Sequence, residues 1–144
     1  MIKTHTSFVK TLAGMVAATA VSVALAGEAP NTDTIITALM EKPLASRSAA
    51  VAGLLTVEYA PGAGTPPHSH PADTFVYVLE GAVEMQVAGG KLKVLKQGET
   101  FYEMPTDKHL VSRNASKTER AKFLVMFIKE KSAELVVPEP AAAQ

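Results

Sequence analysis

The chain has 144 residues, 47% of them apolar, and its 14 basic and 14 acidic residues balance. That length makes one domain the default, and the apolar share is enough for a packed core. Cysteine is absent, which excludes disulfides, thiolate ligands, iron–sulfur clusters and a cysteine nucleophile.

The first stretch carries Lys3 and Lys10 and no acid. The apolar run TLAGMVAATAVSVALA follows and ends in the small-residue pattern Ala24-Leu25-Ala26. Basic region, apolar region and small-residue site together predict a secretory signal peptide over residues 1–26, cleaved near Ala26. The mature chain is then expected in the periplasm or outside the cell. The apolar run is short and weakly hydrophobic for a membrane span, so no stable membrane anchor is expected. Cleavage removes two of the 14 basic residues and none of the 14 acids, leaving a charge of −2. That mild acidity argues against a nucleic-acid partner.

Residues 27–48 read as a leader with a possible first strand. Gly27–Asp33 is flexible in composition, and Thr34–Met40 (TIITALM) fits a short strand or a helical turn equally. PLASRS, beginning at Pro43, reads as a turn or loop. Ala49–Tyr59 (AAVAGLLTVEY) leans to strand. Pro61–Pro67 (PGAGTPP) is a loop, because its prolines block an interior strand. Thr74–Leu79 is a strand, Glu80-Gly81 a turn, and Val83–Val87 an alternating return strand. Gly89-Gly90 marks a hairpin. Lys91–Leu95, Thr100–Glu103, His109–Ser112 and Ala121–Ile128 read as further strands, separated by polar, Gly or Pro turns. Residues 131–144 read as a tail, expected to be disordered, most plainly in PEPAAAQ from Pro138. About eight short strands with no long helix predict an all-β barrel or sandwich over residues 49–130.

The chemistry concentrates on histidine. Export would remove His5 and leave three: His68, His70 and His109. Residues i and i+2 of a strand share a face, so His68 and His70 point the same way, near enough to share one ion. The preceding prolines stiffen the backbone and lower the entropy lost on ordering the pair. His109 follows a turn at the start of another strand and supplies a third imidazole. Such ligands suit zinc, copper, iron and nickel. Without metal, the pair would be solvated loop histidines and His109 an ordinary turn residue. Glu103 sits in an otherwise apolar strand. Facing inward it is a candidate fourth ligand or general base; facing outward, the commoner placement for glutamate, it is a surface acid. Tyr102 and Tyr77 are candidate donors to a bound substrate, although these two, with Phe75, Phe101 and Met104, also fit a core or pocket lining. Glu58 is a more remote proton-transfer candidate. Asn114-Ala115-Ser116 fits a glycosylation sequon.

The pattern Gly62-(5)-His68-Ser69-His70-(10)-Gly81 resembles the first motif of the cupin superfamily, G-x5-H-x-H-x3–4-E-x6-G. Gly98-(10)-His109 resembles the second, G-x5-P-x-G-x2-H-x3-N. PHSHPADTFVYVLEGAVEMQV and GETFYEMPTDKHLVSRNAS are similar to small single-domain cupins, over about Ala49 to Ile128. The resemblance implies a double-stranded β-helix, or jelly-roll barrel. It also implies a divalent ion (Fe, Zn, Mn, Cu or Ni) on His68, His70 and His109.

Two departures stand out. Thr74 occupies the usual glutamate position and is a poor ligand, which reduces the expected four-ligand set to three histidines. Three-histidine members of the superfamily include some thiol and diketone dioxygenases. Met104 and Thr106 replace the usual Pro and Gly, and Asn114 stands one residue late. Asp73 precedes Thr74; its strand parity points it away, unless the loop ends late and lets it approach.

The resemblance does not select a reaction, because this fold hosts many. One expectation is a metalloenzyme of dioxygenase or isomerase type acting on a small molecule. The alternative is a non-catalytic barrel that binds or senses a metal or small ligand. A third is a relict motif in a protein that works through pairing. A homodimer is expected in any case, with residues 34–59 contributing.

Overall fold

Burial alternates with period two along the central strands of the computed structural model, which describes residues 31–140, while Thr34–Leu44 is exposed almost throughout. The signal-peptide reading of residues 1–26 and the end of the tail lie outside the described residues. The chain forms β1 (Thr34–Leu44), β2 (Arg47–Tyr59), β3 (Gly64–Thr65), β4 (His68–Ser69), β5 (Ala72–Glu80) and β6 (Ala82–Val87). It continues with β7 (Lys93–Lys96), β8 (Thr100–Glu103), β9 (Lys108–Asn114), β10 (Ala121–Glu130) and β11 (Val137–Pro138). There is no helix among the described residues.

Two antiparallel sheets face each other. One has the order β1-β2-β10-β5-β8; the other has β11-β4-β9-β6-β7, with β3 also paired to β9. This is the all-β jelly-roll barrel expected. Along β5, Ala72, Thr74, Val76 and Val78 are buried while Phe75 and Tyr77 are exposed. On β10 the inward set is Phe123, Val125 and Phe127, and on β6 it is Val83 and Met85. Of these, Val76, Val78, Val83, Met85, Phe123 and Val125 meet Val57 and Tyr59 of β2 to form the core between the sheets. Burying a large apolar side chain contributes about 1.5–3 kcal/mol, so this alternating set drives closure.

Gly81 turns β5 into β6 with φ of +69°. A Cβ there would lie 2.5 Å from the Arg120 carbonyl oxygen, so the turn needs glycine both for its dihedral and for its space.

The sheet begins earlier than expected. Thr34–Leu44 is a full strand paired along β2, and only Ala45 and Ser46 remain as the turn of PLASRS. Pairing decides what the local pattern left open. Pro43 is tolerated because β1 is an edge strand.

The expected disorder of residues 131–144 is also corrected up to Pro140. Val137 and Pro138 pair with Ser69 and His68. The Glu139 amide donates to the Pro67 carbonyl at 3.0 Å, and its carboxylate meets Lys108 at 3.0 Å. Composition misses this because the order comes from an unpaired sheet edge that accepts the tail, not from the tail's own propensity.

Asn114 is buried, and its side chain is taken up by hydrogen bonds. Its Nδ2 donates to the carbonyls of Tyr59, Ala60 and Glu119, and its Oδ1 accepts from the Ser116 amide. Its late position follows from a β-bulge. β6 pairs Gln86 with Val111 but Val87 with His109, which leaves Leu110 as an extra residue in β9. The bulge lets His109, Ser112 and Asn114 all point inward.

Candidate metal centre

β4 and β9 place the histidines. His68 lies directly opposite His109 in the ladder, and His70 follows two residues on. The His68 ring lies 4.8 Å from that of His70 and 5.1 Å from that of His109, centroid to centroid. One ring nitrogen from each of the three residues falls within 4.8 Å of the others. His68 and His70 are half-buried, and His109 is only 3% exposed.

Backbone carbonyls set two of the tautomers. His68 Nδ1–H donates to the Pro66 carbonyl at 2.7 Å, and His70 Nδ1–H to the Leu135 carbonyl at 2.7 Å. A carbonyl only accepts, so the proton sits on Nδ1 and the Nε2 lone pair is left free for a cation. Burial, helped by the charges of neighbouring His70 and His109, holds the His68 pKa below the ordinary imidazole value. His68 is therefore neutral at neutral pH, the form in which imidazole ligates.

Glu103 faces inward and is 2% exposed. Its Oε2 lies 3.1 Å from His109 Nδ1. The approach is close but not aligned as a hydrogen bond. Glu103 Oε2 and both nitrogens of His109 are consequently buried without a hydrogen-bond partner. A buried orphan polar atom costs about 1–3 kcal/mol. Three of them at one point, next to two imidazoles with free Nε2 atoms, fit a bound cation. The donor set of three imidazoles with an adjacent carboxylate suits a first-row divalent ion.

The partner of Glu103 across the ladder is Thr74. Both are buried, Thr74 at 1% exposure, and the Thr74 hydroxyl makes only a 3.4 Å contact to the Ala72 carbonyl. A carboxylate that position 74 lacks therefore stands at the directly opposed position, on β8.

The other candidates lie elsewhere. Tyr102 is a correction: it is 46% exposed, points out of the barrel, and donates to Asp73 Oδ1 at 2.6 Å. Adjacent residues of a strand face opposite ways, so an inward Glu103 forces Tyr102 outward. Phe75, Tyr77 and Met104 are likewise exposed, and only Phe101 of that aromatic group is buried. Glu58 pairs with Arg120 and Lys122 on the outer surface.

Two features escaped the sequence. Tyr59 is buried beside the site, with its hydroxyl 2.8 Å from Ser112 Oγ and 3.2 Å from Thr65 Oγ1. Burial pushes its pKa up, so it remains a phenol. The alternation of T-V-E-Y already placed Tyr59 opposite in face to Glu58. The second feature is the tail: Leu135, Val136 and Pro138 wall a cavity of about 300 Å³ that also contains the three histidines and Glu103.

Solved structures with the same architecture include a cupin-like protein from Thermotoga maritima, 18% identical, covering 79% of this chain and 81% of that one with a TM-score of 0.62. A conserved protein with a double-stranded β-helix domain from Klebsiella pneumoniae is 18% identical, covering 78% of this chain and 90% of that one with a TM-score of 0.57. Recombinant oxalate oxidase in complex with glycolate is 27% identical with a TM-score of 0.56; the match covers 76% of this chain but only 56% of that one. No curated protein matches the chain. The cupin domain family matches residues 55–127, just over half of the sequence, and with the barrel and the three-histidine cluster this shows that the chain belongs to the cupin domain family.

Proposed function

We propose that this cupin is a divalent-metal-dependent enzyme acting on a small molecule, with His68, His70 and His109 as ligands. The bound ion would supply a Lewis acid or redox centre inside the cavity. The observation that carries the catalytic reading over a purely binding one is Glu103, the one carboxylate among the described residues that line the cavity. Proton transfer by a carboxylate within this cavity therefore falls to it. Its contact with His109 Nδ1 gives it a second task. A carboxylate 3.1 Å from that nitrogen would favour the proton there by its charge and leave the Nε2 lone pair for the ion. The likeness to oxalate oxidase in complex with glycolate supports chemistry on a small oxygen-rich ligand. The pattern of residues 1–26 supports action outside the cytoplasm, and a homodimer is part of the same reading.

The test is metal content by mass spectrometry, on protein purified without chelators or affinity metals, beside a His68→Ala/His70→Ala variant. Near-stoichiometric metal that the variant lacks is the expected result. No metal in either protein, with unchanged thermal stability on adding iron, manganese, zinc, copper or nickel, would overturn the reading.

A further inference from the structure

The cavity wall restricts what can bind there. Leu55 and Val57 of β2, Val76 of β5, Met85 of β6 and Phe123 and Val125 of β10 form most of it. Ile36, Val136 and Pro138 add to this apolar lining. Of the lining hydroxyls, Tyr59 is engaged with Thr65 and Ser112, and Thr74 makes a 3.4 Å contact to the Ala72 carbonyl. No lysine or arginine is among the described residues that line the cavity. A substrate with a second anionic group would bury that charge against carbon with no counter-ion, which is strongly unfavourable.

The three imidazole nitrogens gather at one point of the cavity, so a cation held there would be the single partner for a negatively charged head. We propose that the substrate is a mono-anionic oxygen donor with an apolar body, of the class of medium-chain carboxylic or oxo acids, and not a dicarboxylate or a sugar phosphate. This rests on the metal-site reading above and names its substrate class. The oxygen head meets the ion, and the hydrocarbon part lies along the apolar lining. The volume, about 300 Å³, is at the small end for ligand cavities and suits a chain of several carbons.

The test uses the cobalt(II)-loaded full protein and two readouts, the visible cobalt bands and titration calorimetry. The probes are propanoate, butanoate, pentanoate and hexanoate, with adipate as the equally long dianion. Affinity is expected to rise about fourfold per methylene, the factor for burying one CH₂. Hexanoate is expected to bind at least tenfold more tightly than adipate. Val136→Lys places an ammonium on a half-exposed residue of the lining and is expected to narrow or invert that preference. Cobalt bands that form with affinities flat along the series, or with adipate as tight as hexanoate, overturn the substrate class and leave the metal site standing. Failure of the cobalt bands to form overturns the metal site, and the substrate class with it.

Discussion

Glu103→Gln is the sharpest single perturbation of this site. The amide keeps the size of the side chain and an oxygen at about the same 3.1 Å from His109 Nδ1. Only the charge is lost. The contact is not aligned as a hydrogen bond, so Glu103→Gln removes the pull of a charge on Nδ1–H. The loss expected is the lower end for a partner of a ligating histidine, roughly tenfold in metal affinity or about 1.4 kcal/mol. Glu103→Ala also removes the oxygen beside Nδ1, and the loss should approach the hundredfold end of such effects. Competition for cobalt(II) against a chromophoric chelator measures both, with circular dichroism melts to show that the variants fold. If Glu103→Gln stays within twofold of the parent, the contact does not bias His109. If instead it loses as much as His109→Ala, the carboxylate is itself a ligand. Either result refutes a role exerted through His109.

Ending the chain after Ala133 removes the carbonyl that holds His70 Nδ1 and one apolar wall of the cavity, so cobalt affinity is expected to fall about tenfold. The sheets should survive, as read by an unchanged far-ultraviolet spectrum; undiminished affinity would show that the tail does not orient His70. Tyr102→Phe removes only an outer-surface bond to Asp73, and both metal affinity and any turnover should stay within twofold, measured by the same titration. Asn114→Ala takes the donor from the buried Tyr59 carbonyl and from the half-buried Ala60 and Glu119 bonds, and should destabilise the fold by roughly 1–3 kcal/mol in urea unfolding; a change under about 0.5 kcal/mol would mean water replaces the amide.

Much of the barrel was legible because its signals are local. Gly81 and the Gly89-Gly90 pair mark turns, and alternation marks which face of β5, β6 and β10 is apolar. His68 and His70 were legible for the same reason, since their common face follows from spacing alone. What was not legible depends on pairing between distant segments. Thr34–Met40 is a strand because β2 offers it an edge, and Val137–Pro138 is ordered because β4 does. The late Asn114 could not be explained until the pairing of β6 with β9 exposed the bulge at Leu110. Tyr102 and Glu103 are a different case. As neighbours on one strand they could not both face the cavity, and period two already made them alternatives. Which of them turned inward was set by Phe101, whose ring is buried and which carries Glu103 to the same face.

The opposition of Thr74 and Glu103 gives the site its own internal test. If the site needs one carboxylate at this rung of the ladder and tolerates either strand as its source, exchanging the two residues should preserve it. Thr74→Glu alone should not. Directly opposed side chains have Cβ atoms about 5 Å apart. Two carboxylates at about that distance repel by roughly 3 kcal/mol at an effective dielectric constant near 20. Thr74→Glu should therefore lower metal-free stability by about that much, and added cobalt(II) should restore most of it by neutralising the pair. Glu103→Thr alone should leave the apo fold as stable as the parent or more so, because it removes a buried carboxylate that has no aligned hydrogen bond, while metal affinity falls. The double exchange Thr74→Glu/Glu103→Thr carries one carboxylate and nearly the same volume, so apo stability should return to within about 1 kcal/mol of the parent. Cobalt affinity should recover at least tenfold relative to Glu103→Thr. The readouts are urea unfolding with and without cobalt and the chelator competition. Additive losses in the double variant would show that the carboxylate is needed at position 103 itself and that Thr74 is a packing residue with no connection to the charge of the site.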